Sequence, residues 1–538
     1  MINLKSIFFK VPVKYYFAAL VLIVLFSGYG IINYFIDSPI NITLDTTNNT
    51  FVETYLGEVK TLNPLFIEYD SPEEDISSLI FSSILIKSGD EYIGDLVSYW
   101  DVEEDGKTYN FVLKDDVYWH DGVKLTVEDI IFSLWLIKDD AVKTRYGDIF
   151  KDIKIEKLSE NKFKIITDVA DIYFIENFDF PILPKHLLDD LDTKSLLSNG
   201  YNLNPIGSGK YIFQSINVSS NETSVFLKKN KAYYGDLPQI ENIRFDFYKN
   251  FDDIDQVKTT AFSVEPRNIP VNLNDYNEYL LPLTRYQILF FNNDSETLKS
   301  NIVRKAIHKA LSFNDFAQGY KVKIINSPYL YEQSGIVQQS NDGDGPKELL
   351  YSAGWQIYSK EFSDGLRRNV DKEKMSINIV TVDSPMYLTM CEYIKKKLSE
   401  IGIEVTYAGF SESDLSLDLL NDRSFDMLLL GINLSNREDL YPILHSFDKN
   451  EPNKLNFSNY DDLETDLLLE DLRNTVEARQ RDKIKLEIMK RLDRDVPIIF
   501  ISQGLKQYYA KKSVTNVVIP EIMSRLSERF LKINEWKM

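Results

Sequence analysis

Residues 94–122 read GDLVSYWDVEEDGKTYNFVLKDDVYWHDG. Asp105-Gly106 is a hairpin signal between two runs of strand character. After it, Tyr109, Phe111 and Leu113 alternate with Thr108, Asn110 and Val112, and Lys114-Asp115-Asp116 closes the strand. The aromatic pair Tyr118-Trp119 then leads to a second turn, Asp121-Gly122. Past Thr126 the period changes: Ile130, Ile131, Leu134 and Ile137 fall on one side of a helix that begins at Val127-Glu128-Asp129. The stretch therefore predicts a hairpin that feeds a helix.

The whole chain has 538 residues, enough for about three lobes. A hydrophobic fraction of 44% supplies real cores, and a charged fraction of 27% is ordinary for a folded chain. The net charge of −21 argues against a nucleic-acid partner, because a phosphate backbone needs a basic face. It also disfavours docking on an anionic lipid surface, and its plain consequence is solubility. Cys391 is the single cysteine, so no intramolecular disulfide and no cysteine metal cluster exists. Its surroundings, MYLTMCEYIKKKL, predict a buried thiol on a helix. His120, His186, His308 and His445 are scattered without i, i+4 pairing, so no metal site is expected.

No charged residue occurs from Tyr15 to Ile36. As a helix this run spans roughly 33 Å, enough for a hydrocarbon core of about 30 Å. Lys5, Lys10 and Lys14 precede it and Asp37 follows, which places residues 1–14 in the cytoplasm and the bulk outside. A cleaved signal peptide and an uncleaved signal anchor both fit. The length of the run and the lack of an Ala-x-Ala site favour a single-pass anchor over 15–36. Residues 37–49 are polar and turn-rich and read as a tether.

Catalytic motifs fail on inspection. NPIGSGKYIF (204–213) would need a glycine at Asn204 and a Ser or Thr at Tyr211 to be a P-loop. NDGDG (341–345) breaks the calcium-loop pattern at Ser340 and Tyr351. Adjacent strand residues face opposite ways, so His120 and Asp121 make a poor dyad. An exported hydrolase would need a clustered nucleophile or acid/base set that the sequence does not display. No enzyme activity and no cofactor are expected.

As a string, the opening stretch resembles the signature of the family 5 extracellular solute-binding proteins, the peptide-binding receptors of ABC importers. Other segments recur in that family's order: GEVKTLNPLF (57–66), FPILPKHLL (180–188), NPIGSGKYIF, NKAYYG (230–235), RYQILFFNN (285–293), KKKLSEIGIEVTY (395–407) and SFDMLLLGI (424–432). The expected helix before the signature covers 73–87, and a core-facing stripe of Val303, Ala306, Ile307 and Ala310 lies on a helix over 301–313. The match lapses through about 251–280. Tyr29 stands where a lipidated Cys would follow the apolar run in many bacterial binding proteins.

The resemblance implies an α/β, two-lobed clamshell of the type II periplasmic-binding-protein kind. Lobe I would combine 50–78, 195–288 and 495–538, with an inserted subdomain over 79–194 and lobe II over 289–494. It implies capture of an oligopeptide or similar small solute by hinge closure, then delivery by a monomer to a permease–ATPase complex. The alternative is an anchored sensor or peptide scavenger with no transporter. Cleft candidates are Asn63, Pro64, Gly207, Ser208, Gly209, Asn433, Ser435, Glu438, Asp439 and Tyr441. Many peptide-binding members hold the ligand ammonium with an Asp in an Ala-Asp-Tyr segment after the strand corresponding to 425–431. INLSNREDLYP (432–442) has none at that place, and Glu438 or Asp439 is either a shifted anchor or surface charge.

Overall fold

The Asp105 carboxylate shapes the first hairpin by accepting from the amides of Lys107 (2.8 Å) and Thr108 (3.0 Å). Gly106 takes φ +66°, the left-handed conformation such turns favour. The turn joins strands Val97–Val102 and Thr108–Leu113, with Trp100 opposite Phe111. Tyr109, Phe111 and Leu113 are buried, as the alternation predicts. The helix Val127–Lys138 follows. Asp129 accepts from the Thr126 amide at one oxygen (2.8 Å) and from the Lys185 amide at the other (2.9 Å), so one carboxylate closes the helix start and fixes the Pro-Lys-His segment. Two further strands, Lys154–Lys157 and Lys162–Ile166, complete a four-stranded antiparallel sheet.

The computed structural model describes residues 50–538 apart from 70, 89–90, 255–257, 264–271, 315, 317–321, 326–343, 412–413, 416–419, 421, 435–438 and 447–454. The apolar run 15–36 lies outside the described residues; among them, no helix is long and apolar enough to cross a membrane.

The main sheet has eleven strands among the described residues. Its chain order includes β1 (Thr50–Leu56), β2 (Tyr211–Val218), β3 (Glu222–Lys229), β4 (Asn242–Tyr248) and β5 (Ala261–Phe262). Then come β6 (Tyr276–Phe291), β7 (Val322–Ile324), β8 (Ser376–Val382), β9 (Glu404–Phe410), β10 (Met427–Asn433) and β11 (Ile498–Lys511). Across the sheet the order is β9-β8-β10-β6-β11-β5-β1-β4-β3-β2, and β7 pairs with β11 off this path. The strands β8, β9 and β10 are mutually parallel where they pair, and helix Pro385–Ser399 connects the first two. Cys391 is buried on that helix, as expected.

β6 and β11 are the long strands, of 16 and 14 residues. They pair from Tyr276 to Pro282 and again from Tyr286 to Phe290, with a register shift between. Separate cores lie at their two ends. One collects side chains from 51–281 and 508–536, including Leu281 and Tyr508. Beyond the shift, Leu289 and Phe291 enter a second core and Tyr286, Ile288 and Phe290 a third, on opposite faces as a period of two requires. The bulged stretch 282–286 thus joins two bodies of apolar packing.

One element is shorter than the sequence predicts. The helix expected over 73–87 is α1 (Pro72–Ile80), and Leu85–Ser88 forms a strand paired with Glu91–Gly94. Ile84 and Leu85 are apolar enough to extend a helix. A distant loop takes over the helix end instead.

Candidate functional site

That loop is NPIGSGK. The Gly209 amide donates to the Ile80 carbonyl at 2.7 Å, satisfying one of the acceptors a helix leaves open at its C-terminus. A Cβ on Gly207 would lie 2.0 Å from the same oxygen, and one on Gly209 would lie 2.5 Å from the Leu79 oxygen. Both positions need glycine for close approach. The His120 ring clamps the loop: Nδ1 accepts from the Gly207 amide (3.3 Å) and Nε2 faces the Gly209 carbonyl (3.1 Å). This arrangement requires the neutral Nε2–H tautomer. Asn230 Nδ2 also donates to the Gly209 carbonyl, at 3.0 Å. Ser208 is buried, and its hydroxyl has no hydrogen-bond partner among the described residues.

Burial pushes the His120 imidazole down to about 4. The unfolded chain, with a pKa near ~6.5, binds a proton that the folded ring refuses, so stability falls as pH drops from about 6.5 toward 4. The loss reaches about 3 kcal/mol. Urea midpoints at pH 7 and pH 4.5 should separate less in His120→Gln than in the unaltered protein. Equal separations would show that this ring does not carry the effect.

Asn63 is fully buried and makes a local tie. Its Oδ1 accepts from the Leu65 amide (3.1 Å) and its Nδ2 donates to Asn202 Oδ1 (2.9 Å). Pro64 borders a cavity of about 110 Å³ that is also lined by Glu74, Asp95, Arg145, Lys210 and Arg525. Gly209 lines it too. Arg145 Nη2 lies 2.6 Å from Glu74, and its guanidinium sits 4.3 Å from the Tyr69 ring centre and 4.9 Å from that of Tyr146. Arg525 lies 3.8 Å from the same Glu74 and pairs with Asp179. Burial raises the Asp95 carboxyl above the usual range, against hydrogen bonds from Tyr234 and the Ser83 amide. Burial also lowers Lys210, whose Nζ donates to the Leu531 carbonyl at 2.9 Å. The cavity wall therefore holds both signs of charge on six separate chain segments.

Segment 523–525 links this cavity to the bulge between the cores. Thr284 N donates to Met523 O and Met523 N to Pro282 O, both at 2.8 Å. Asn433 reaches the same segment, with Nδ2 3.4 Å from Ser524 O, and its Oδ1 accepts from Thr284 Oγ1 at 2.8 Å. The structure so brings together Pro64, Gly209, the 523–525 segment and Asn433.

Asp439 and Tyr441 belong elsewhere. Asp439 accepts from Arg473 Nε (3.2 Å) and Nη2 (2.5 Å) and from the Tyr441 amide (3.2 Å). The Arg473 guanidinium covers the Tyr441 ring at 3.9 Å and comes within 3.9 Å of Asp171. Asp171, Tyr441 and Arg473 border a second cavity, of about 500 Å³. Tyr173, two residues past Asp171, is buried in the third core, which otherwise draws on 286–500. Ser435 and Glu438 lie outside the described residues.

Sequence reading missed Glu74, Arg145, Asp179 and Arg525. Each sits in a stretch with no motif, and the cluster joins residues up to 451 positions apart, so no local spacing signals it. It also missed the pair His186 Nε2–Asp121 Oδ2 (2.7 Å); His120 and Asp121 lie in a turn rather than on a strand, and each side chain takes a different partner.

The family profile "Bacterial extracellular solute-binding proteins, family 5 Middle" matches residues 91–454, and the chain belongs to this family. It is similar to the oligopeptide-binding protein AppA of Bacillus subtilis, 24% identical over 476 residues that cover 83% of this chain and 84% of AppA. Among solved structures, NikZ from Campylobacter jejuni in complex with Ni(L-His) superposes with a TM-score of 0.66 at 22% identity, covering 91% of this chain and 99% of that one. The ABC transporter substrate-binding protein CtaP from Listeria monocytogenes gives 0.72 at 18% identity, covering 91% and 99%. These likenesses show a mixed α/β fold of the periplasmic-binding-protein kind.

Proposed function

We propose that this protein captures an oligopeptide or similar small solute outside the cell by closing two lobes about the 282–286 bulge, and hands it to an ABC permease and ATPase. The observation that carries the reading is the pair β6–β11. Two long strands run from one core into others and change register between them, which concentrates bending in a few residues. The charged cavity and Asn433 meet at that same place. Lobe I would gather 50–78, 195–288 and 495–538 around the first core, with 79–194 inserted and 289–494 as lobe II. On this division Tyr173 and the Asp171–Arg473 approach would join the inserted subdomain to lobe II, a contact that closure would make and opening would break. The peptide class is supported by the likeness to AppA, an oligopeptide-binding protein, and delivery to a transporter by the likeness to CtaP, an ABC transporter substrate-binding protein. The uncharged run Tyr15–Ile36 behind three lysines supports a single-pass anchor.

Native mass spectrometry of the full chain, released from gentle detergent, tests the ligand class. A ladder of added masses fitting short peptides is the expected spectrum. A single non-peptide mass would remove the peptide assignment and leave solute capture standing. A bare protein whose melting temperature ignores an added peptide pool would count against capture of peptides altogether.

A further inference from the structure

The hinge-side edge of this site carries a guanidinium beside the strand end after which the peptide-binding pattern would place a carboxylate. Arg285 stands on β6 directly opposite Asn433 on β10, so both side chains leave the same face. Arg285 is exposed. Two glycines flank it on that face. A Cβ on Gly431 would come within 3.4 Å of Arg285 Nε and 2.3 Å of the Tyr387 hydroxyl, and one on Gly504 within 3.8 Å of the Arg285 Cβ. The surface beside the guanidinium is thus bare backbone, with the Tyr387 hydroxyl close to it and Asn433 across the strand pair.

No acid among the described residues neutralises it. Arg285 forms no ion pair there, and the carboxylate bonded to the 524 segment that Asn433 approaches is engaged. Glu528 accepts from the Ser524 amide (3.2 Å) and from the Ser524 hydroxyl. A ligand ammonium at this edge would therefore meet a fixed like charge. A carboxylate would meet a planar donor fork suited to two parallel hydrogen bonds. Lobe closure would strip water from the pair and strengthen it.

Resting on the capture reading above, we infer that Arg285 receives a carboxylate of the bound solute, so that the end of the ligand held at the hinge edge is anionic. For a peptide this is the C-terminal carboxylate or an acidic side chain, and the free ammonium is dispensable at this edge.

Calorimetric titration of the full chain in detergent with penta-alanine in three forms tests the assignment: both ends free, N-acetylated, and C-amidated. The acetylated peptide should bind within about twofold of the free one. The amidated peptide should bind roughly tenfold or more weakly, the factor a charge-assisted hydrogen bond commands. Arg285→Gln should weaken the free peptide to the amidated level and erase the difference between them, and Arg285→Lys should restore part of it. Because Arg285 is exposed, the melting temperature of either variant should match that of the parent. Two results overturn the assignment while leaving peptide capture intact: weaker binding on acetylation with none on amidation, or an unchanged preference in Arg285→Gln. If none of the three peptides binds, the peptide reading and this inference fall together.

Discussion

Arg529→Leu is expected to destabilise the protein by about 3–5 kcal/mol, the cost of leaving buried charge without its partner. Arg529 is 1% exposed and Glu53 is fully buried. The guanidinium donates to both oxygens of Asp75 (2.7 Å each), to Glu53 Oε1 (2.6 Å) and to the Tyr55 hydroxyl (2.9 Å). Tyr55 in turn donates to Asp75 Oδ2 (2.6 Å), and Tyr508 to Glu53 Oε2 (3.1 Å). One cation thus serves two carboxylates. Burial, opposed by Arg529 and reinforced by Asp75, holds the Glu53 carboxyl above its ordinary value. A raised carboxylate binds its proton more readily folded than unfolded, so its contribution is largest at low pH and is lost as pH rises through the folded value. Without Arg529 the Glu53 carboxyl would shift further the same way. The deficit of Arg529→Leu should therefore be larger at pH 7.5 than at pH 5.5. Urea unfolding at the two pH values checks both points. A deficit below about 1 kcal/mol at pH 7.5 would mean that the two acids find other partners or take up protons at little cost.

The same cluster marks where sequence reading stops. Tyr109, Phe111 and Leu113 and the 127–138 helix were legible because each is written in a local period, and the 427–433 strand because it is a short apolar run. Glu53 alternates with apolar neighbours in FVETYL and reads as a solvent-facing strand residue. Its partner lies 476 positions away in a segment whose charge, SRLSER, reads as surface. Only the folded chain brings β1, the first turn of α1, β11 and the 526–535 segment to one point. The site divides in the same way. The glycines of NPIGSGK announce a tight approach, but not that the partner is the end of α1. INLSNREDLYP announces a departure from the ammonium-binding pattern. That Arg285 faces Asn433 follows from strand register, and register between strands about 150 residues apart is set by both cores together.

Gly207→Ala should cost about 3 kcal/mol or more, the upper part of the range for overfilled packing. Its φ is not in the left-handed region, so the cost is steric, from a new Cβ 2.0 Å from the Ile80 carbonyl oxygen. Relief by backbone movement is blocked on both sides. The His120 amide donates to the Gly207 carbonyl at 2.8 Å, and the Gly209 amide holds Ile80 at 2.7 Å. Gly122 supplies the contrast. It has φ +88° and nothing within 4 Å of an added Cβ, so Gly122→Ala carries only the left-handed penalty of about 1–2 kcal/mol. Gly209→Ala, at 2.5 Å from Leu79 O, belongs with Gly207. Denaturant midpoints should rank the three with Gly122→Ala mildest. The loop variants should also weaken solute binding at temperatures where they remain folded, because α1 carries Glu74 and the loop carries Lys210 into the same cavity. Gly122→Ala, in the turn after Trp119, should bind as the parent does. If Gly207→Ala unfolds no more readily than Gly122→Ala, the loop does not seal the helix as tightly as these distances require, and the cavity wall it supports would be free to shift.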